Sequence, residues 1–404
     1  MADSLLRKAL RAHWGSILGG SYEYNILSRF RTLAPRQLQI NVTYHCNSRC
    51  SMCNIWQMRE REEMGLEEFA RVLEDPLYRG IERLTLAGGE PSLRRDLVAL
   101  TELFLHKMPR LMSLTLVTNG LAVERILADT RSILDLCAGR GIHLNVSVSL
   151  DGVGHVHDEM RDVPGAFDKV ERCLMGLKEL QSQRPFWLGA ACVVTRKNLY
   201  HLRELQSWCA QRGIELGFQL VGFHESYVAN VERQSELDFS SSDRDYLLSF
   251  LHELASDRSP SNFLSYYWND MLRLYRDGRP RQTPCPFTLD SFVLDAYGDM
   301  YYCLSERKIG NCLQGSQHTV HASGQVLAPP QDGSSEPAGA SPQGKGEDSA
   351  AAGPCSAIYY DPSNLGFRAG LKTTACRQCN SACFVNVGIK KELKRYLWYL
   401  MTGR

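Results

Sequence analysis

Six short segments, beginning near residues 37, 84, 114, 144, 188 and 215, are apolar or alternate polar with apolar residues, and helical stretches separate them. Alternation with period two is the signature of a strand. Strands joined through a helix-length segment pair in parallel by crossover connections. The chain is therefore an α/β protein built on a parallel sheet. Eight such units would close a barrel; in barrels of this kind the chemistry sits at the C-terminal ends of the strands.

The first strand opens into His45-Cys46-Asn47-Ser48-Arg49-Cys50-Ser51-Met52-Cys53-Asn54-Ile55-Trp56, a C-x3-C-x2-C run. A cubane iron–sulfur cluster that only carries electrons takes four cysteines. Three leave one iron open to a small molecule, and a short loop lets three thiolates converge on one cluster face. A zinc knuckle or three unrelated buried cysteines are the alternatives. The second strand ends in Ala87-Gly88-Gly89-Glu90-Pro91, and a helical stretch at 66–77 lies between the two motifs. Glycines allow backbone to approach a ligand closely, and the proline ends the strand.

These two motifs resemble the radical S-adenosylmethionine enzyme superfamily. The resemblance implies that Cys46, Cys50 and Cys53 bind a [4Fe–4S] cluster whose fourth iron is chelated by S-adenosylmethionine. One electron then cleaves the sulfonium, and the 5′-deoxyadenosyl radical abstracts a hydrogen atom. It also implies an open, partial (β/α)6 TIM-like barrel over 38–235, its gap admitting substrate. The family pattern places Met52, Gly88, Gly89, Glu90, Asn119, Ser147, Ser149, Asp151, Arg161, Val194 and Asn198 around S-adenosylmethionine. Arg161 suits a planar carboxylate such as that of the methionine moiety; a solvated helix-end arginine is the other reading. Cys192, on the fifth strand, is a candidate hydrogen donor, or a small buried hydrophobe.

Cysteine usage extends the argument. Of 14 cysteines, seven follow residue 284. Clustered cysteines without a secretory signal suggest metal ligands in a reducing cytoplasm rather than disulfides. Beyond a helical connector at 236–283, Cys285 and Cys303 flank a hairpin turn at Tyr297-Gly298-Asp299, and Cys376-Arg377-Gln378-Cys379 returns later. This resembles the auxiliary-cluster domain of the SPASM and twitch subfamilies. It implies a small α+β, cysteine-rich domain at 284–387, with Cys285, Cys303, Cys376 and Cys379 on a second [4Fe–4S] cluster. Cys383 is a further candidate ligand, although the spacing departs from the full SPASM pattern; the roles of Cys312 and Cys355 are left open. A Gly/Ser/Pro/Ala-rich stretch at 314–353 is too poor in apolar residues to order itself and is expected to be a disordered insertion. Residues 1–37 are expected to form a helical extension and 388–404 a C-terminal helix.

The net charge of +1 shows no basic face, so nucleic acid is not an expected partner. No segment is long and apolar enough to span a membrane. The expected partners are a small-molecule substrate and an electron donor such as flavodoxin or ferredoxin. An auxiliary cluster favours dehydrogenation of a sugar- or aminocyclitol-like substrate, with epimerisation as the related outcome. His224, Glu225 and Tyr227 are candidate substrate contacts. Maturation of a ribosomally made peptide is the rival; about 37 residues before the first strand are too few for a winged-helix leader-binding domain. A non-catalytic iron–sulfur or zinc protein is the alternative from another class.

Overall fold

The computed structural model describes residues 21–58, 61–257, 262–314, 353–382, 385–391 and 393–402. The expected insertion, most of the N-terminal extension and Cys383 lie outside the described residues.

Strands β1 (Gln37–Thr43), β2 (Arg83–Gly88), β3 (Ser113–Thr118), β4 (His143–Ser149), β5 (Trp187–Val194) and β6 (Glu215–Leu220) run in parallel, each beside the next. The crossovers are helices α1 (Leu66–Val72), α2 (Leu97–Lys107), α3 (Val123–Ala138), α4 (His155–Arg161), α5 (Ala166–Gln183) and α6 (Leu202–Gln211). One expectation needs refinement. The auxiliary region does not stand apart from the sheet. Its first strand β7 (Ser291–Leu294) pairs in parallel with β1, and β8 (Asp299–Tyr301) and β9 (Gly310–Asn311) continue antiparallel beyond it, giving nine strands in one sheet. Strand β1 therefore sits between two partners and is buried along its whole length.

The alternation expresses two faces. Leu38, Ile40, Leu84, Leu86, Leu114, Leu116, Leu144 and Val146 point at the helices and form the core. The polar set points inward: Gln39 and Asn41 hydrogen-bond to each other, and the inward positions of β3 and β4 are half-buried. A concave, partly polar interior results, open at the strands' C-terminal ends. Helices α7 (Arg244–Ser256) and α8 (Leu264–Asp277) form the connector, and α9 (Pro354–Tyr359), α10 (Pro362–Leu371), α11 (Val385–Lys391) and α12 (Leu393–Thr402) complete the C-terminal region. No described helix is long and apolar enough to cross a membrane.

Candidate active site

The cysteine loop is held by backbone on three sides. From the end of β2, the Gly89 and Glu90 amides donate to the Thr43 and His45 carbonyls at 2.7 and 2.8 Å. From α4, the Met160 carbonyl accepts from the Ser51 amide and the Arg161 carbonyl from the Ser48 hydroxyl, both at 2.9 Å. From the chain after β6, the Val228 carbonyl accepts from the Asn54 amide at 2.7 Å, and Asn230 Nδ2 donates to the Met52 carbonyl at 2.8 Å. These anchors fix the loop through the protein's own hydrogen bonds.

The glycines carry a packing duty that the sequence did not disclose. A Cβ on Gly89 would lie 2.2 Å from the His45 carbonyl oxygen. Gly88 has φ of +121°, and a Cβ there would lie 2.3 Å from the Thr43 oxygen. Their close approach is to the cysteine loop itself, and both also line the cavity described below.

Several expected S-adenosylmethionine contacts support the site from outside the cavity lining. Glu90 is fully buried; its carboxylate accepts from the Ser92 and Asn119 amides and the Thr118 hydroxyl. It ties the glycine turn to the end of β3. Asp151 accepts from the Val193 amide at 2.9 Å and pairs with Arg161 at 2.6 Å. Arg161 does line the cavity, but its guanidinium is shared between Asp151 and the Cys50 sulfur, 3.5 Å from Nη1. Burial works against the Arg161 charge, yet Asp151 and then Cys50 hold its pKa above the usual range. Asn198 spends its amide on the Thr195 amide and the Asp151 and Val193 carbonyls. Buried His157 accepts from the Asp151 amide; burial and Arg161 hold it neutral, near pKa 2.

A cavity of about 330 Å³ opens at the strands' C-terminal ends. Cys46, Cys50 and Cys53 line it together with Cys285, Cys303 and Cys379. Cys376 adjoins the same second set, sharing a neighbouring recess with Cys285 and Cys379. Asn380 Nδ2 bonds the Val221 carbonyl at 2.7 Å, which fastens the Cys376–Cys379 turn to the exit of β6. Burial pushes Cys46 up to about 11, and Cys53 and Cys376 to about 12, and it pushes Cys303 up as well.

Of the residues expected around S-adenosylmethionine, Met52, Gly88, Gly89, Asn119, Ser149 and Arg161 line the cavity. Ser147 points inward two residues below Ser149, outside the lining. Two expectations on β5 are corrected. Ala191 and Val193 face the cavity, whereas Cys192 and Val194 face the helices, 1% and 0% exposed. Period two puts neighbouring residues on opposite faces, so Cys192 cannot return a hydrogen to a substrate there. His224 and Tyr227 line the cavity, and Glu225 is exposed outside it. Cys312 and Cys355 are buried in the core with sulfurs 2.7 Å apart and Tyr78 donating to Cys355, away from the cavity. Sequence reasoning missed Gln219 in the lining and Arg281 behind the second cysteine set. The inward parity of β6 was the available signal for Gln219.

The residues present are thiols, the donors that iron–sulfur clusters take. Among the described residues no three His, Cys, Asp or Glu side chains converge on a point that would hold one metal ion. A cubane places each thiolate on a different iron, whereas zinc gathers its ligands around one centre.

The model of the radical SAM superfamily matches residues 40–193. A GTP 3′,8-cyclase of Desulforamulus reducens is 31% identical over 150 residues, 36% of this chain and 43% of the relative. A pre-heme d1 synthase of Dinoroseobacter shibae is 30% identical over 177 residues, 43% of this chain and 40% of the relative. The chain thus spans about two fifths of the length of these curated relatives. Streptococcus suis SuiB bound to S-adenosylmethionine shares the fold, with TM-score 0.54 and 15% identity over 89% of this chain and 76% of SuiB. Radical SAM proteins bind a [4Fe–4S] cluster and S-adenosylmethionine.

Proposed function

With residues 40–193 forming a radical SAM domain, we propose that this chain oxidises a hydroxyl- or amine-bearing carbon of a small, polar, sugar- or aminocyclitol-like substrate. The observation that carries this reading is the shared cavity, lined by the three thiols of the first loop and by three of the second cysteine set. Bound S-adenosylmethionine, cleaved by one electron, supplies an acceptor for one hydrogen atom.

The chain's own residues do the rest. Cys46, Cys50 and Cys53 would hold the first cluster. Gly88 and Gly89 present backbone to the methionine moiety, and Asn119 and Ser149 line the wall beside it. Gln219, His224 and Ser305 line the wall left for substrate. Oxidising an alcohol or amine carbon removes one hydrogen atom, one proton and one electron. The hydrogen atom leaves with the 5′-carbon of the cleaved cofactor. Burial lowers the His224 pKa, so at neutral pH it is a free base able to take the proton. Cys285, Cys303, Cys376 and Cys379 would hold a second cluster, which would supply the acceptor for the electron. A flavodoxin- or ferredoxin-type donor supplies the initial electron, and the substrate returns one, so the electrons balance over a turnover.

Epimerisation requires a hydrogen donor instead, and Cys192 faces away from the cavity. Every cavity thiol among the described residues belongs to one of the two ligand sets. Turnover of candidate sugars and aminocyclitols in deuterated water, with the product weighed, is the test. A product lighter by two hydrogens supports oxidation. An isomer carrying one solvent deuterium, or turnover of a peptide alone, overturns it.

A further inference from the structure

Arg281 enters the protein interior behind the second cysteine set. Its Nε donates to Thr283 Oγ1 at 2.8 Å and to the Thr283 carbonyl at 3.1 Å. Nη1 donates to the Ser381 carbonyl at 2.7 Å and reaches the Cys379 carbonyl at 3.5 Å and the Cys379 sulfur at 3.6 Å. The guanidinium also lies 5.4 Å from the Tyr267 ring centre. Nη2 is sealed from solvent and has no hydrogen-bond partner among the described residues.

The nearby carboxylate is already committed. Asp270, 2% exposed, accepts from the Gln282 and Thr283 amides. Burial works against the Arg281 charge, and Cys379, Cys285, Tyr267 and Asp270, in that order, favour it. The guanidinium's direct contacts are the Thr283 hydroxyl, backbone carbonyls, the Tyr267 ring and the Cys379 sulfur, and a buried cation without a carboxylate in direct contact bears a desolvation cost. Thiolates would supply the missing counter-charge, and a metal cluster is what keeps buried cysteines ionised. The sealed Nη2 is a donor left over on the same guanidinium whose Nη1 reaches the Cys379 sulfur.

We propose that Arg281 is the charge-compensating residue of an iron–sulfur cluster on Cys285, Cys303, Cys376 and Cys379, and that its cation raises that cluster's reduction potential. The inference rests on the auxiliary-cluster reading above. Cluster potentials respond to net charge, to hydrogen bonds onto sulfur and to solvent exposure. A fixed cation favours the state with the extra electron. It thereby makes the second cluster a better acceptor for the electron that a substrate-centred radical gives up.

The test uses the full chain carrying C46A/C50A/C53A, in which only the second set can hold iron. R281M and R281K are made in that background, and iron content and midpoint potential are measured by a redox titration followed by electron paramagnetic resonance. The expected result is that R281M keeps its iron with a more negative potential, while R281K stays close to the parent. If R281M loses iron and R281K keeps it, the charge requirement also stands. An unchanged potential in R281M, or equal loss of iron or equal shifts in both variants, overturns the proposal. Absence of iron from the parent itself refutes the auxiliary-cluster reading instead.

Discussion

Asp151→Asn is the most informative single change to the scaffold. The Asp151 side chain is fully buried and that of Arg161 is 9% exposed, with oxygen and nitrogen 2.6 Å apart. Asparagine keeps the shape and an oxygen to accept from the Val193 amide, but it removes the only carboxylate paired with Arg161 among the described residues. Breaking a buried ion pair by removing one partner costs about 3–5 kcal/mol, because the survivor is left charged and dry. Arg161 also touches Cys50 and its carbonyl anchors the cysteine loop, so loading of the first cluster should fall as well. Replacing both partners, in D151N/R161M, removes the stranded charge and should recover part of the loss. Urea unfolding of the metal-free, reduced chain measures all four corners of this double-mutant cycle. A D151N variant within about 1 kcal/mol of wild type, or single effects that add to within about 0.5 kcal/mol, would refute the reasoning.

Gly89→Ala drives a methyl group into the His45 carbonyl; overpacking of this kind costs about 1–3 kcal/mol, and iron analysis should show the first site depleted while the second keeps its iron. Burial, followed by the nearby Asp299, pushes Asp295 from 3.8 up to about 6. The folded state thus binds the proton more tightly, so stability is fullest below the unfolded pKa and falls as pH rises from about 4 to 6, by about 3 kcal/mol. Urea titrations at several pH values should show that Asp295→Asn flattens this slope, and an unchanged slope would remove Asp295 as its source. Cys192→Ser should leave 5′-deoxyadenosine formation and the identity of the product unchanged, and mass spectrometry of the product would expose any hydrogen-return role. His224→Gln should slow product formation more than it slows cleavage of S-adenosylmethionine; equal slowing of both would argue against a proton-accepting role.

The sheet was legible because its crossover segments carry strong local patterns. Strand β4 alternates His-Leu-Asn-Val-Ser-Val-Ser, and that alternation alone puts Ser149 on the inner face. Strand β5, Trp-Leu-Gly-Ala-Ala-Cys-Val-Val, has no polar residue to mark a face, so the orientation of Cys192 could not be read. Glu90, Asp151 and Asn198 are polar residues at strand ends, a pattern shared by ligand contacts and by loop supports. Only the hydrogen-bond partners tell the two apart. The pairing of β7 with β1 joins residues about 250 positions apart, and a contact so distant leaves no local trace. Arg281 follows Arg276 and Arg279 in a segment that reads as a solvated turn; its burial depends on the returning Cys376–Cys379 loop.

The central claim is that the loop bearing Cys46, Cys50 and Cys53 supports reductive cleavage of S-adenosylmethionine inside this cavity. The direct measurement is 5′-deoxyadenosine formed by the reconstituted, reduced protein, compared with the C46A/C50A/C53A variant. The account predicts steady formation by the wild-type chain and none by the variant, which should still retain about half of the iron because each full cubane holds four metal ions. Equal formation of 5′-deoxyadenosine by both proteins would contradict it.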